Sequence, residues 1–211
     1  LKISKFKNIE NSEFDFIQIN CFVGNNGVGK TNVLDAIYYL SFCKSFFNHN
    51  DFHSIRYGSD FFALHGDYLI KGVEEKISCV LKEGGKKQIK HSGKLYTRHS
   101  EHIGRIPVVM IAPNDHILIT GGSDVRRKFV DQIISQQDSL YLQNLIRYNK
   151  AIEQRNKLLK SFQIYHSVDE VNLLIWEEQI AVYGKFIQEK RKNFFEKFHE
   201  PMYNFYEFIS Q

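Results

Sequence analysis

The 211 residues are 43% hydrophobic and 25% charged, which excludes a disordered chain and leaves room for one good core or two small ones. A net charge of +4 and a pI near 8.8 suit an anionic partner but exclude an arginine-rich polymer binder. Cys21, Cys43 and Cys79 are odd in number and widely spaced. They suggest neither a disulfide framework nor a zinc site, so reduced thiols in the cytoplasm are expected. No apolar run approaches the ~18 residues of a spanning helix, and the start lacks the plan of a signal peptide, so no membrane partner is expected. The missing initiator Met suggests a trimmed or processed start.

In chain order, two β-prone stretches open the sequence, around Leu1 to Phe6 and Phe14 to Val23. The second ends in the apolar run Ile19 to Val23 and meets a glycine-rich turn. Thr31 to Ser41 then sets Val33, Leu34, Ala36, Ile37 and Leu40 at helical spacing. Segments at Phe61 to Ile70, Glu75 to Lys82 and Lys86 to His91, punctuated by glycines, predict an antiparallel meander. Ile106 to Ile111 reads as a buried strand halted at Pro113. From Ser123 the pattern turns helical: one helix carries Val125, Phe129, Ile133 and Ile134, and a longer one runs from about Ser139 to Phe162. From Val168 to Ser210 a stripe of Leu173, Trp176, Ile180, Tyr183 and Ile187 marks a further helix, interrupted by Pro201.

The chemistry is concentrated at Gly24-Asn25-Asn26-Gly27-Val28-Gly29-Lys30-Thr31. It fits Gly-x-x-x-x-Gly-Lys-[Ser/Thr], between a predicted strand and an amphipathic helix. Glycines let the backbone N–H groups approach phosphate oxygens where a Cβ would obstruct, and the helix N-terminus adds positive potential. Lys30 is expected to reach the β and γ phosphates, and the Thr31 hydroxyl to ligate magnesium, with Asn32 completing the site. The expected ligands are therefore ATP and magnesium. GTP is disfavoured, because neither Asp-x-x-Gly nor Asn-Lys-x-Asp occurs. An ABC or SMC ATPase also needs an apolar strand ending in Asp-Glu and a Ser-x-Gly signature, and the chain has neither. No catalytic residue is assigned within it.

The P-loop with its flanks, Cys21-Phe22-Val23 through Val33-Leu34-Asp35-Ala36-Ile37-Tyr38, resembles the front of the RecF family of SMC-like recombination mediators. Ile106-Pro107-Val108-Val109, Pro113-Asn114-Asp115 and Gly122-Ser123-Asp124-Val125-Arg126-Arg127 are similar to that family's middle section. Arg147-Tyr148-Asn149-Lys150-Ala151, Gln154-Arg155-Asn156-Lys157 and Trp176-Glu177-Glu178-Gln179 extend the likeness. Asp35 stands where a Glu is common, and Phe46-Phe47 where an arginine is frequent. The resemblance implies an α/β fold: an incomplete P-loop ABC/SMC-like ATPase head at residues 1–115, with an antiparallel β segment, and a helical lobe at 116–211. The Asp-Glu strand and the signature are expected beyond Gln211. It implies a weak ATPase, acting as an ATP-dependent homodimer at single-strand gaps and junctions in DNA, with RecR and RecO as partners. The other class left open is a P-loop kinase with its acceptor site in the helical lobe.

Lys7 and Asn8 are expected to touch the nucleotide, as a basic residue does in SMC-like heads, against the alternative of a solvated lysine. Asn114 or Asp115 could sense the γ phosphate, though a turn or helix cap is the more ordinary role. Arg126 and Arg127 suit an anion or a salt bridge to Asp124 or Asp131 equally. Arg147, Lys150, Arg155, Lys157 and Lys160 could track a DNA backbone or form a solvated face. His99 and His102 are expected at the surface. The phenylalanines from Phe186 to Phe208 are expected in helix packing rather than base stacking.

Overall fold

In the computed structural model, residues 1–165 and 169–210 are described. They divide into two compact units, Leu1–Ile111 and Ala112–Gln211, whereas the sequence reading set its boundary after residue 115.

The first unit is one antiparallel sheet covered by a helix. Strands β1 (Lys2–Phe6), β2 (Ile9–Glu13), β3 (Phe61–Ile70), β4 (Val73–Lys82), β5 (Gln88–His91) and β6 (Lys94–Leu95) lie in the order β2-β1-β3-β4-β5-β6. Two-residue turns join β3 to β4 and β5 to β6. Ile70 pairs with Val73 around Lys71-Gly72, and His91 with Lys94 around Ser92-Gly93. Positive φ at all four turn residues matches the twist of the flanking strands.

Alternation sends Phe62 and Leu64 of β3, and Ile77, Cys79 and Leu81 of β4, to one face. Helix α1 (Lys30–Phe42) lies against it, burying Val33, Ala36, Tyr39 and Leu40. Phe6, Tyr39 and Phe62 meet edge to face at the centre, with ring centroids 5.3 to 5.9 Å apart.

Three expectations fail here. The strand at Phe14 to Val23 does not form: β2 precedes it, and Ile17, Ile19 and Val23 are 78%, 82% and 88% exposed. Nor is Ile106 to Ile111 a buried strand, since Val109 and Ile111 are 82% and 85% exposed. Both have strand composition, but a strand needs a ladder partner, and the described sheet pairs with neither. His102 is fully buried rather than at the surface, its Nε2 2.6 Å from the Leu40 carbonyl oxygen.

The second unit is helical: α2 (Ile117–Thr120), α3 (Ser123–Gln137), α4 (Ser139–Tyr165) and α5 (Glu170–Ser210). Val130, Ile134, Tyr141 and Ile187 form its core. The expected stripe at Leu173, Trp176, Ile180, Tyr183 and Ile187 is the less exposed face of α5. The expected start at Val168 lies outside the described residues. Pro201 sits inside α5 without ending it. Gly184 admits the Tyr148 ring, which a Cβ would meet at 3.2 Å. Arg191 grips Asp131 with two bonds of 2.8 Å, and the Tyr141 hydroxyl donates to the same carboxylate. The expected packing of phenylalanines holds for Phe186 and Phe194, which lie against this core, and fails farther along, where Phe205 and Phe208 are 68% and 78% exposed.

Candidate nucleotide site

The glycine-rich loop leads directly into α1, whose N-cap, Gly29, has no side-chain hydrogen bond and whose first turn carries no acid. The first N–H groups of α1 are thus left to an anion. Gly27 (φ 83°) and Gly29 (φ 107°) adopt left-handed backbone that a Cβ would strain. At Gly29 there is also no room: a Cβ would stand 2.8 Å from the Asn8 amide oxygen.

Lys30 bends back across the loop. Its ammonium donates to the carbonyl oxygens of Gly24 (2.7 Å) and Asn25 (2.8 Å). A cation held on neutral carbonyls, at a helix N-terminus without a capping acid, fits a polyphosphate. Asn25, Asn26, Gly27, Val28 and Thr31 are exposed, so the loop is open to solvent.

Asn8 sits beside this loop. Its Nδ2 donates to the Gly27 carbonyl oxygen at 2.6 Å, and its Oδ1 accepts from Asn32 at 2.7 Å. Lys7 is engaged by an acid. Its ammonium pairs at 2.6 Å with Asp35, which is fully buried in α1. Asp35 also accepts from the Ser45 hydroxyl and the Phe46 N–H, both at 2.7 Å. Those partners give both oxygens of the buried carboxylate a donor. No local signal in the sequence marks Asp35 or Ser45, because their partners are far apart along the chain.

The other candidates lie elsewhere. The Asp115 carboxylate accepts from the Ala112 N–H, which is the capping role. Arg126 binds the carbonyl oxygens of Leu118 (3.3 Å) and Gly121 (2.9 Å), and Arg127 the Ser123 hydroxyl (2.8 Å). Neither pairs with Asp124 or Asp131. Lys128 and Arg191 hold those acids instead. On α4, Arg147, Lys150, Lys157 and Lys160 are exposed and fall within an arc of about 140° at 3.6 residues per turn. Lys157 is paired with Glu153 (2.6 Å), and Arg155 bridges to Glu177 of α5 (3.1 Å).

The sequence profile of an AAA domain matches residues 1–201. The DNA replication and repair protein RecF of Phocaeicola vulgatus is 49% identical over the whole chain, which spans 57% of that relative. RecF of Flavobacterium johnsoniae is 50% identical over 97% of this chain and 57% of its own length. The chain belongs to the RecF family of AAA-domain proteins.

Among solved structures, that of the recombination mediator RecF-ATPrS superposes with a TM-score of 0.88 at 32% identity. It covers 93% of this chain and 53% of its own. An SMC ATPase structure shares the fold at a TM-score of 0.51 and 20% identity, over 63% of this chain and 96% of its own. The fold is therefore that of an incomplete P-loop head of ABC/SMC type, with an antiparallel β segment and a helical portion. The chain spans little more than half the length of the RecF proteins it matches. Among the described residues, no helix is long and apolar enough to cross a membrane.

Proposed function

We propose that this chain supplies the phosphate-binding side of an ATP site in a RecF-type protein that retains DNA in an ATP-dependent manner during recombinational repair. The observation that carries this reading is the Lys30 ammonium, held across the loop by the Gly24 and Asn25 carbonyl oxygens at an uncapped helix N-terminus. The close likeness to a structure described as RecF-ATP supports it.

In this reading the backbone from Gly24 to Gly29 would receive the phosphates, Lys30 would hold them with its ammonium, and the α1 N–H groups at Thr31 and Asn32 would add to the cradle. Thr31 offers its hydroxyl to the metal. Bound magnesium nucleotide supplies the scissile anhydride and the cation that offsets its charge. The chain's own residues bind and orient it.

Activation of water is assigned to an Asp-Glu strand in the remainder of the polypeptide, and the signature to a second subunit, so hydrolysis is weak and belongs to the dimer. The exposed apolar runs at Ile17 to Val23 and Val109 to Ile111 support this, being strand-like segments with no ladder partner among the described residues. Gapped DNA, RecR and RecO are the proposed partners, and the cytoplasm is the proposed location. Arg147, Lys150 and Lys160 are the favoured backbone contacts, because Arg155 and Lys157 are already paired with acids. Arg126 and Arg127 are weaker candidates, each being engaged within its own segment.

Retention of the intact protein on gapped duplex, with and without magnesium ATP, tests the reading. Charge reversal at Arg147 and Lys150 should weaken retention alike on all sequences and lower the salt slope by about 0.9 per lost phosphate contact. An unchanged slope would assign the α4 face to solvent.

A further inference from the structure

Strands β1 and β2 are joined by a turn of two residues, Lys7 and Asn8, between paired Phe6 and Ile9. Lys7 has φ 52°, at the first central position of such a turn, where glycine is usual. A side chain there is conformationally costly, so the lysine must make compensating contacts. Its backbone is also pinned: the Lys7 N–H donates to the Ser54 carbonyl oxygen at 2.8 Å, and the Arg56 N–H to Lys5 at 2.8 Å.

From this fixed turn, two side chains reach three successive parts of the phosphate site. Asn8 donates to Gly27 in the loop and accepts from Asn32 in the first turn of α1. Lys7, whose side chain is 12% exposed, pairs with Asp35 in the second turn. The Asn8 amide also lies so close to Gly29 that only hydrogen fits between them.

We propose that the Lys7-Asn8 turn is the positioning element of the phosphate loop, holding loop and helix in register through Gly27, Asn32 and Asp35. This rests on the ATP reading above and deepens it. Lys7 acts through its pair with a buried carboxylate, and Asn8 through a donor and an acceptor that both meet the protein. The turn transmits the rigidity of the sheet to a loop that has few contacts of its own. Binding energy is then not lost in ordering the loop.

The test is titration of the intact protein with fluorescent mant-ATP and mant-ADP, alongside thermal midpoints. Asn8 is exposed, so its variants should fold. Asn8→Asp keeps the acceptor for Asn32 but sets a carboxylate oxygen against the Gly27 carbonyl. It should weaken both nucleotides by about tenfold, the worth of one hydrogen bond, with the midpoint nearly unchanged. Asn8→Ala should behave alike.

Lys7→Ala, Asp35→Asn and the double variant should lose the same affinity, since each breaks one pair. Wild-type affinity in both Asn8 variants would overturn the proposal. So would Asp35→Asn that binds normally while Lys7→Ala in that background does not, because the freed lysine would then be acting on phosphate. Lys30→Ala separates the two levels. If the unsubstituted protein binds no more nucleotide than this variant, the ATP reading itself fails, and the positioning role with it.

Discussion

The sheet unit and the helical unit are held together in different ways. In the first, side chains from five strands and α1 meet in one core, and the aromatic trio Phe6, Tyr39 and Phe62 is essentially sealed from solvent. In the second, the core is confined to Val130, Ile134, Tyr141, Ile187 and their neighbours, and fixation passes to polar clips: Asp131 with Arg191 and Tyr141, and Asp138 with Lys190. The chemistry sits on the first kind of support. A phosphate loop is a short, exposed segment, and it keeps a defined shape only when both flanks are attached to something rigid.

The largest expected effect breaks the apolar side of this comparison. Phe62→Ala removes the centre of the trio and should cost about 3–5 kcal/mol in unfolding free energy, measured by denaturant titration. It should also loosen nucleotide binding, because α1 loses its seat. A smaller effect is expected on the polar side. Asp131→Ala leaves Arg191, whose side chain is 25% exposed, without its counter-charge and Tyr141 without its acceptor. Partial exposure lowers the penalty to about 1–3 kcal/mol. Nucleotide affinity should not change, and a loss there would contradict the division of labour between the units.

The smallest effect is set by pH. His102 must carry its proton on Nε2 to donate to Leu40, and its buried Nδ1 has no partner among the described residues. Burial lowers its pKa below the ordinary 6.5, helped by the positive potential of His91, Arg105 and His99. The unfolded chain therefore takes up this proton first as pH falls. The stability contributed by neutral His102 is complete above about pH 6.5 and is lost progressively below it. His102→Gln keeps a donor that does not titrate, so its thermal midpoint should fall less between pH 7 and pH 5 than that of the unsubstituted protein.

How far these features can be read from the sequence depends on their range. The phosphate loop, α1, the β3–β4 hairpin and the stripe on α5 are local patterns, and residue spacing alone marks them. The strand expected at Phe14 to Val23 failed because strand formation depends on a neighbour, which composition does not supply. The same holds for Ile106 to Ile111.

His102 looked like a surface residue because nothing nearby in sequence shows that α1 ends against it. The Lys7–Asp35 pair spans 28 positions and a left-handed backbone residue. Arg126 and Arg127 drew attention as a pair, yet their partners are backbone and hydroxyl oxygens within eight residues.

The central claim is that the Gly24–Thr31 loop binds nucleotide through Lys30. The most direct measurement is calorimetric titration of the intact protein with magnesium ATP, compared with Lys30→Ala. Saturable binding by the unsubstituted protein and a loss of at least about a hundredfold in the variant, the scale of charge-assisted bonds to phosphate, is the predicted result. Equal affinities in the two proteins would contradict the account.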